Sequence, residues 1–135
     1  EMPSFASRHG VEDRLVLHEG DLLAPLAAHP DHGRLDAVLS NPPYIVEGDP
    51  TVEHGVLAHE PHAALFVAGD DPLEVAMRLA RDARAALGPG GLLAIEVGAG
   101  SASAATSRLE ALGYDDVAAV PDLAGIGRVV RGRRP

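Results

Sequence analysis

The chain has no cysteine, so disulfides, thiolate metal sites and cysteine nucleophiles are excluded together. Lysine is absent as well, and all eleven basic residues are arginine. Alongside the Ala, Gly, Pro and Arg bias, that absence reads as a GC-rich coding sequence and says little about function. Positive charge is scarce overall. The formal net charge of −9 argues against broad, non-specific nucleic-acid binding, which needs a basic surface. Arg131-Gly132-Arg133-Arg134 is the one dense basic cluster, and a solvated terminal tail is expected there. No apolar run approaches the roughly 20 residues of a membrane span, and no basic stretch followed by an apolar one opens the chain. A soluble cytoplasmic protein is expected. What is present is ordinary globular composition, 46% hydrophobic and 23% charged over 135 residues, enough for one domain or part of one. The chain opens on Glu1-Met2, which suggests an incomplete or processed product.

Asn41-Pro42-Pro43-Tyr44 is the most informative segment. It follows the apolar run Leu35-Asp36-Ala37-Val38-Leu39-Ser40, which reads as a buried strand. Two prolines end a strand, because each lacks a ladder donor and fixes its own φ. The result is a rigid elbow at the carboxyl end of a strand, where open α/β sheets bind ligands. It offers an amide side chain, unpaired carbonyls and one aromatic ring. These suit a planar nitrogen-bearing group, an amide or an exocyclic amine: the Asn41 oxygen and a carbonyl accept N–H bonds, and Tyr44 stacks on the plane. By itself such a tetrapeptide is more often a plain turn; its place after a buried strand is what raises it above that.

Residues 14–21 read as a first strand ending at Gly20-Asp21. Residues 45–71 read as a long irregular segment of the functional kind. Asp71-Pro72 opens a helix with Asp as N-cap and Pro at its first position, and Gly88-Pro89-Gly90-Gly91 stops it. The apolar run over 92–98 suggests a strand in a sheet covered on both faces. Residues 101–112 form a second helix closed by Gly113. Residues 116–120 and 127–131 are too close for a crossover helix and are expected to pair antiparallel. A doubly wound α/β sheet accounts best for this order.

With these motifs placed, the chain resembles the C-terminal part of class I S-adenosylmethionine-dependent methyltransferases. Within them it is most similar to the HemK-type glutamine N5-methyltransferases that modify peptide chain release factors. The resemblance rests on Gly20-Asp21-Leu22 after a strand, on residues 35–45 with Asn41-Pro42-Pro43-Tyr44, and on His59-Glu60-Pro61. It continues through Gly69-Asp70-Asp71-Pro72-Leu73, Ile95-Glu96-Val97-Gly98 and the closing Asp122-Leu123-Ala124-Gly125 with Arg128-Val129-Val130. It covers residues 6–131. It implies a Rossmann-like fold ending in an antiparallel hairpin, S-adenosylmethionine as cofactor and a release factor as protein substrate. By the same resemblance Asn41 and the Pro42 carbonyl hold the glutamine amide, Pro43 and Tyr44 pack the substrate, and Asp21, Leu22 and Asn41 bind the cofactor. The catalytic group is then Asn41, Pro42 and Tyr44. A turn or helix cap is the plain reading of Asp21. Glu60 and Glu96 fit loop ordering and strand-end structure. His54, His59 and His62 with Glu60 match no firm zinc spacing, so no metal is expected.

The resemblance also marks what these 135 residues lack. The family's glycine-rich first loop and the acid that binds the ribose hydroxyls are not among them, and Gly98-Ala99-Gly100 follows the wrong strand to replace that loop. Pro3 is expected to interrupt the family's helix at the opening. Residues 1–135 therefore read as the C-terminal part of a methyltransferase domain whose first two strands are missing or come from elsewhere. Such a piece is expected to bind S-adenosylmethionine weakly or not at all. Other readings are an amino-methyltransferase for nucleic-acid bases, methylation of a ribosomal-protein glutamine, and a non-catalytic remnant of the fold.

Overall fold

The computed structural model describes residues 2–46, 66–67 and 69–135. In chain order its helices and strands are α1 (Met2–Arg8), β1 (Leu35–Ser40), β2 (Ile45–Val46), β3 (Phe66–Val67), α2 (Glu74–Ala86), β4 (Leu87–Glu96), α3 (Ala102–Ala111), β5 (Asp115–Pro121) and β6 (Gly127–Arg133). The main sheet is mixed, in the order β1-β4-β6-β5. β1 and β4 run parallel, with Ser40 opposite Ile95, while β4–β6 and β5–β6 are antiparallel. The expected α/β class and closing hairpin are present. The Asp122 carboxylate turns the hairpin by accepting the Ala124 and Ile126 N–H groups at 2.8 and 3.0 Å.

The core lies between this sheet and the two longer helices. Along β4 and the residue after it, Leu93, Ile95 and Val97 are fully buried against Ala76, Met77, Ala80 and Ala83 of α2, Leu109 of α3 and Val130 of β6. Each large apolar side chain so buried contributes about 1.5–3 kcal/mol. Leu92 and Ala94, the alternate residues, are only half-buried, and Leu39 of β1 is 71% exposed. Covering on both faces was expected from the continuous apolar run. Among the described residues one face is fully covered.

Several local expectations are corrected. Residues 15–19 form no strand: a single 3₁₀ turn at Glu12–Arg14 precedes them, and Val16 and Leu17 are 73% and 54% exposed. A strand is held by its ladder, and no described strand pairs with this segment. Pro3 does not interrupt α1; it sits in the first turn, where a missing N–H costs nothing. Asp71 accepts the Leu73 N–H at 3.0 Å in a turn ahead of α2, so it caps without being the helix's own N-cap. Gly88 to Gly91 stop α2 as expected but belong to β4, where the register to β1 shifts. The segment 45–71 contains the short parallel pair β2–β3, β2 at its start and β3 at Phe66–Val67. The arginine tail is tied back to β4, with Arg133 still exposed: the Arg134 N–H donates to Gly91 O at 2.9 Å, the Arg133 guanidinium to Gly90 O at 3.2 Å, and the Arg134 guanidinium to Leu87 O. Carbonyls left open by the bulge in β4 account for those partners.

Candidate active site

β1 leaves the sheet at Ser40, and the next four residues, Asn41 to Tyr44, belong to no strand before β2 begins at Ile45. The two prolines explain the break. Within the elbow the side chains divide. Pro42 is buried and anchors the turn, Asn41 is exposed, and Pro43 and Tyr44 are half-buried. The amide group is thus presented to solvent from a rigid base.

Tyr44 is held on two sides. Its ring lies so close to Gly98 that a Cβ there would stand 2.9 Å from Tyr44 Cδ2, nearer than real Cβ atoms come. Only glycine fits beneath the ring. On the other side Arg128 Nη2 donates to Tyr44 Oη at 3.0 Å, with the guanidinium carbon 5.9 Å from the ring centroid. The sheet register explains how residues 84 apart in sequence meet. The β4–β6 ladder closes on Glu96 opposite Val129, so Val97 and Arg128 face each other just beyond it. The Val97 N–H donates to Arg128 O at 2.8 Å, and Arg128 Nε returns a bond to Val97 O at 3.0 Å. Glu96 Oε1 lies 3.7 Å from Arg128 Nη2, a loose, partly exposed ion pair.

Asp21 and Leu22 lie on another part of the chain. Asp21 is exposed, and its Oδ2 accepts from Arg78 Nη1 of α2 at 2.8 Å. Leu22 has a φ of 51°, in the left-handed region that a branched side chain rarely enters, and packs half-buried against the core. Such strain persists where the surroundings over-determine the backbone, and it clusters at ligand clamps. His54, His59, Glu60 and His62 lie outside the described residues. Among the described residues no three metal-ligating side chains gather, and no helix is long and apolar enough to cross a membrane. A surface cavity of about 530 Å³ opens elsewhere, at the amino ends of β1 and β4 between Arg34, Gly88 and Arg133. It is remote from the elbow and is not taken as the site.

Gly98 and Arg128 are the site residues that sequence reading missed as such. Gly98 stood out only as the end of Ile95-Glu96-Val97-Gly98 and in a weak Gly-x-Gly, and Arg128 only as part of the closing motif. The signal for both was positional: one follows β4, the strand neighbouring the elbow's strand, and the other stands opposite Val97 just beyond the β4–β6 ladder.

No family model matches the chain. Known sequences do. It is 40% identical to the release factor glutamine methyltransferase of Cereibacter sphaeroides over 131 residues, 96% of this chain and 45% of that protein. The chain is a relative of the release factor glutamine methyltransferases. Those of Xylella fastidiosa and Deinococcus radiodurans are 39% and 37% identical to it, each over 96% of its length. The chain spans a little under half the length of these relatives. Among solved structures, a candidate DNA modification methylase from Thermus thermophilus aligns with a TM-score of 0.54 at 21% identity, covering 87% of this chain and 53% of that one. That likeness concerns the fold alone.

Proposed function

We propose that the protein carrying this chain transfers a methyl group from S-adenosylmethionine to the side-chain amide nitrogen of a protein glutamine, the Gly-Gly-Gln glutamine of a peptide release factor. One observation carries the reading: Asn41 stands exposed on a proline-fixed elbow at the carboxyl end of the parallel β1–β4 pair, with Tyr44 locked beside it. The names of its relatives support the same substrate class.

An amide nitrogen is a poor nucleophile, because its lone pair is delocalised into the carbonyl. The Asn41 side-chain oxygen and the Pro42 carbonyl would accept the two amide hydrogens. That orients the nitrogen and favours a more pyramidal, reactive form. Tyr44 would wall the planar group from the side. The cofactor would supply an electrophilic methyl on a sulfonium. The surplus proton on the methylated amide leaves to water, so no strong base is needed, and acceleration comes from positioning and electrostatics. For the cofactor, the residues present fit its adenine end. Asp21 is an exposed carboxylate with lone pairs beyond the one given to Arg78, and Leu22 is the strained residue beside it. Asn41 would border the sulfonium.

The test is transfer of labelled methyl to a release factor. Label should appear on the wild-type factor, vanish when the Gly-Gly-Gln glutamine is replaced, and be lost in Asn41→Ala by far more than cofactor affinity falls. Label that survives replacement of that glutamine contradicts the substrate assignment.

A further inference from the structure

We propose that Arg128 is the positioning residue for Tyr44, and that it sets the elbow by holding the tyrosine ring down on Gly98. Its consequence for catalysis rests on the function proposed above; the contact itself does not.

The guanidinium divides its donors between two tasks. Nε extends the sheet by one bond past the ladder, donating to Val97 O while Arg128 O accepts the Val97 N–H. Nη2 then points away from the sheet to Tyr44 Oη, with Glu96 close enough to balance its charge. A residue needed only to end the ladder would use the first bond and leave the second unmade. Arginine's fork allows both at once, because its donors are fixed in one plane. Lysine offers its three donors from a single nitrogen, so it lacks the two-nitrogen spacing by which Arg128 reaches Val97 O and Tyr44 Oη together. Gly98 supplies the floor: its missing Cβ lets the ring descend, and Arg128 keeps it there. With Pro42 buried and Tyr44 fixed two residues on, the backbone that carries the exposed Asn41 is held in place.

This makes the effect of Arg128 conditional on the Tyr44 hydroxyl, which a double-mutant cycle reads directly. In the complete protein, assayed with S-adenosylmethionine and a release factor, Tyr44→Phe and Arg128→Lys should each lower kcat about tenfold, a loss of alignment, with KM for the cofactor unchanged. The double variant should be no worse than either single one. A double variant that shows the full product, about a hundredfold, means that Arg128 acts only through the strand end and overturns the proposal.

A second reading needs no activity. These residues hold two tyrosines, Tyr44 and Tyr114, and in the carbon-labelled complete protein their ring signals are assigned as those lost in Tyr44→Phe and in Tyr114→Phe. Arg128→Lys should shift those of Tyr44 and leave Tyr114 in place, which also reports that the fold is intact. An unmoved Tyr44 signal refutes the contact. If Arg128→Lys does not fold, Tyr44→Phe is read from the other side, by the nitrogen signal of Arg128 Nε, which should move. Should the wild-type protein transfer no methyl at all, the proposed function fails, while a Tyr44 signal that responds to Arg128→Lys still supports the positioning role.

Discussion

Two regions of the molecule are built on the same device, a tyrosine laid on a glycine, and they use it for different ends. Tyr114 follows α3 and is nearly fully buried; a Cβ on Gly132 would stand 3.0 Å from its Cβ. Its hydroxyl donates to Ala80 O of α2 at 2.7 Å, tying helix to sheet inside the core. Tyr44 lies on Gly98 at the carboxyl end of the parallel strands, half-buried, and its hydroxyl accepts from Arg128. One ring has apolar packing around it and a neutral partner. The other has a charged partner and a solvent-facing neighbour in Asn41. The difference separates a residue that holds the fold from one that holds a loop.

The sharpest way to break this comparison is to remove both rings. Tyr114→Ala should cost about 3–5 kcal/mol, the range for emptying a large buried site. Tyr44→Ala should cost less, about 1 kcal/mol, since its ring lies at the surface, partly exposed, outside the buried core. Denaturant titration of the two variants measures both. Equal losses would mean that the elbow is part of the core and that the distinction is false.

The glycines come next. Gly132→Ala forces a methyl into a packed interior and should cost about 1–3 kcal/mol. Gly98→Ala pushes only on the edge of the Tyr44 ring, which can tilt outward. Its thermal midpoint should fall less than that of Gly132→Ala, while methyl transfer drops by up to about a hundredfold as the elbow is displaced. A scan of both variants beside the transfer assay separates the two. The reverse pattern would assign the holding role to Tyr44.

Much of this division was legible in the sequence, for a physical reason. The elbow is local, because Asn-Pro-Pro-Tyr after an apolar run specifies strand, break and ring within about ten residues, and the structure shows that order. α2, α3 and the hairpin were legible by periodicity and by Gly113, whose φ of 93° ends α3 as a left-handed cap. Arg128 was not, because its partner lies 84 residues away and only the β4–β6 register brings them together. Residues 15–19 misled for the opposite reason. Their apolar pattern says strand, but a ladder needs a neighbour, which no pattern within the segment supplies.

A smaller effect sharpens the buried side of the comparison. Tyr114→Phe leaves the ring and removes one buried hydrogen bond, which should cost about 1 kcal/mol near neutral pH. Burial pushes the Tyr114 phenol up to about 12, against an ordinary value of 10.0, with Arg84 and Arg134 pulling weakly the other way. The raised value means that the folded state keeps the proton which the unfolded chain gives up first. That contribution is therefore complete below about pH 10 and is lost as pH rises through about 12. The gap between wild type and Tyr114→Phe should narrow over that window in alkaline denaturation. Phenol absorbance should show one tyrosine titrating late, and that step should be absent in Tyr114→Phe.

The smallest effect comes from a tie that uses no ring. Arg108 of α3 donates to Asp71 Oδ2 at 2.8 Å, with 44% and 42% of the two side chains exposed. It joins the turn ahead of α2 to α3, much as Tyr114 joins α2 to the sheet, but in water. The hydrogen bond from Arg108, then the Leu73 N–H, holds the Asp71 carboxyl below its usual 3.8. A lowered value stabilises the folded state above about pH 3.8 and loses that contribution as the carboxylate protonates below it. Solvent screening keeps the gain small. Arg108→Ala should cost about 0.2–1 kcal/mol at neutral pH, and the difference from wild type should vanish in acid and shrink in high salt. If it persists at about 1 M salt, the Arg108 stem rather than its charge makes the tie, and packing, as at Tyr114, is what joins the helices.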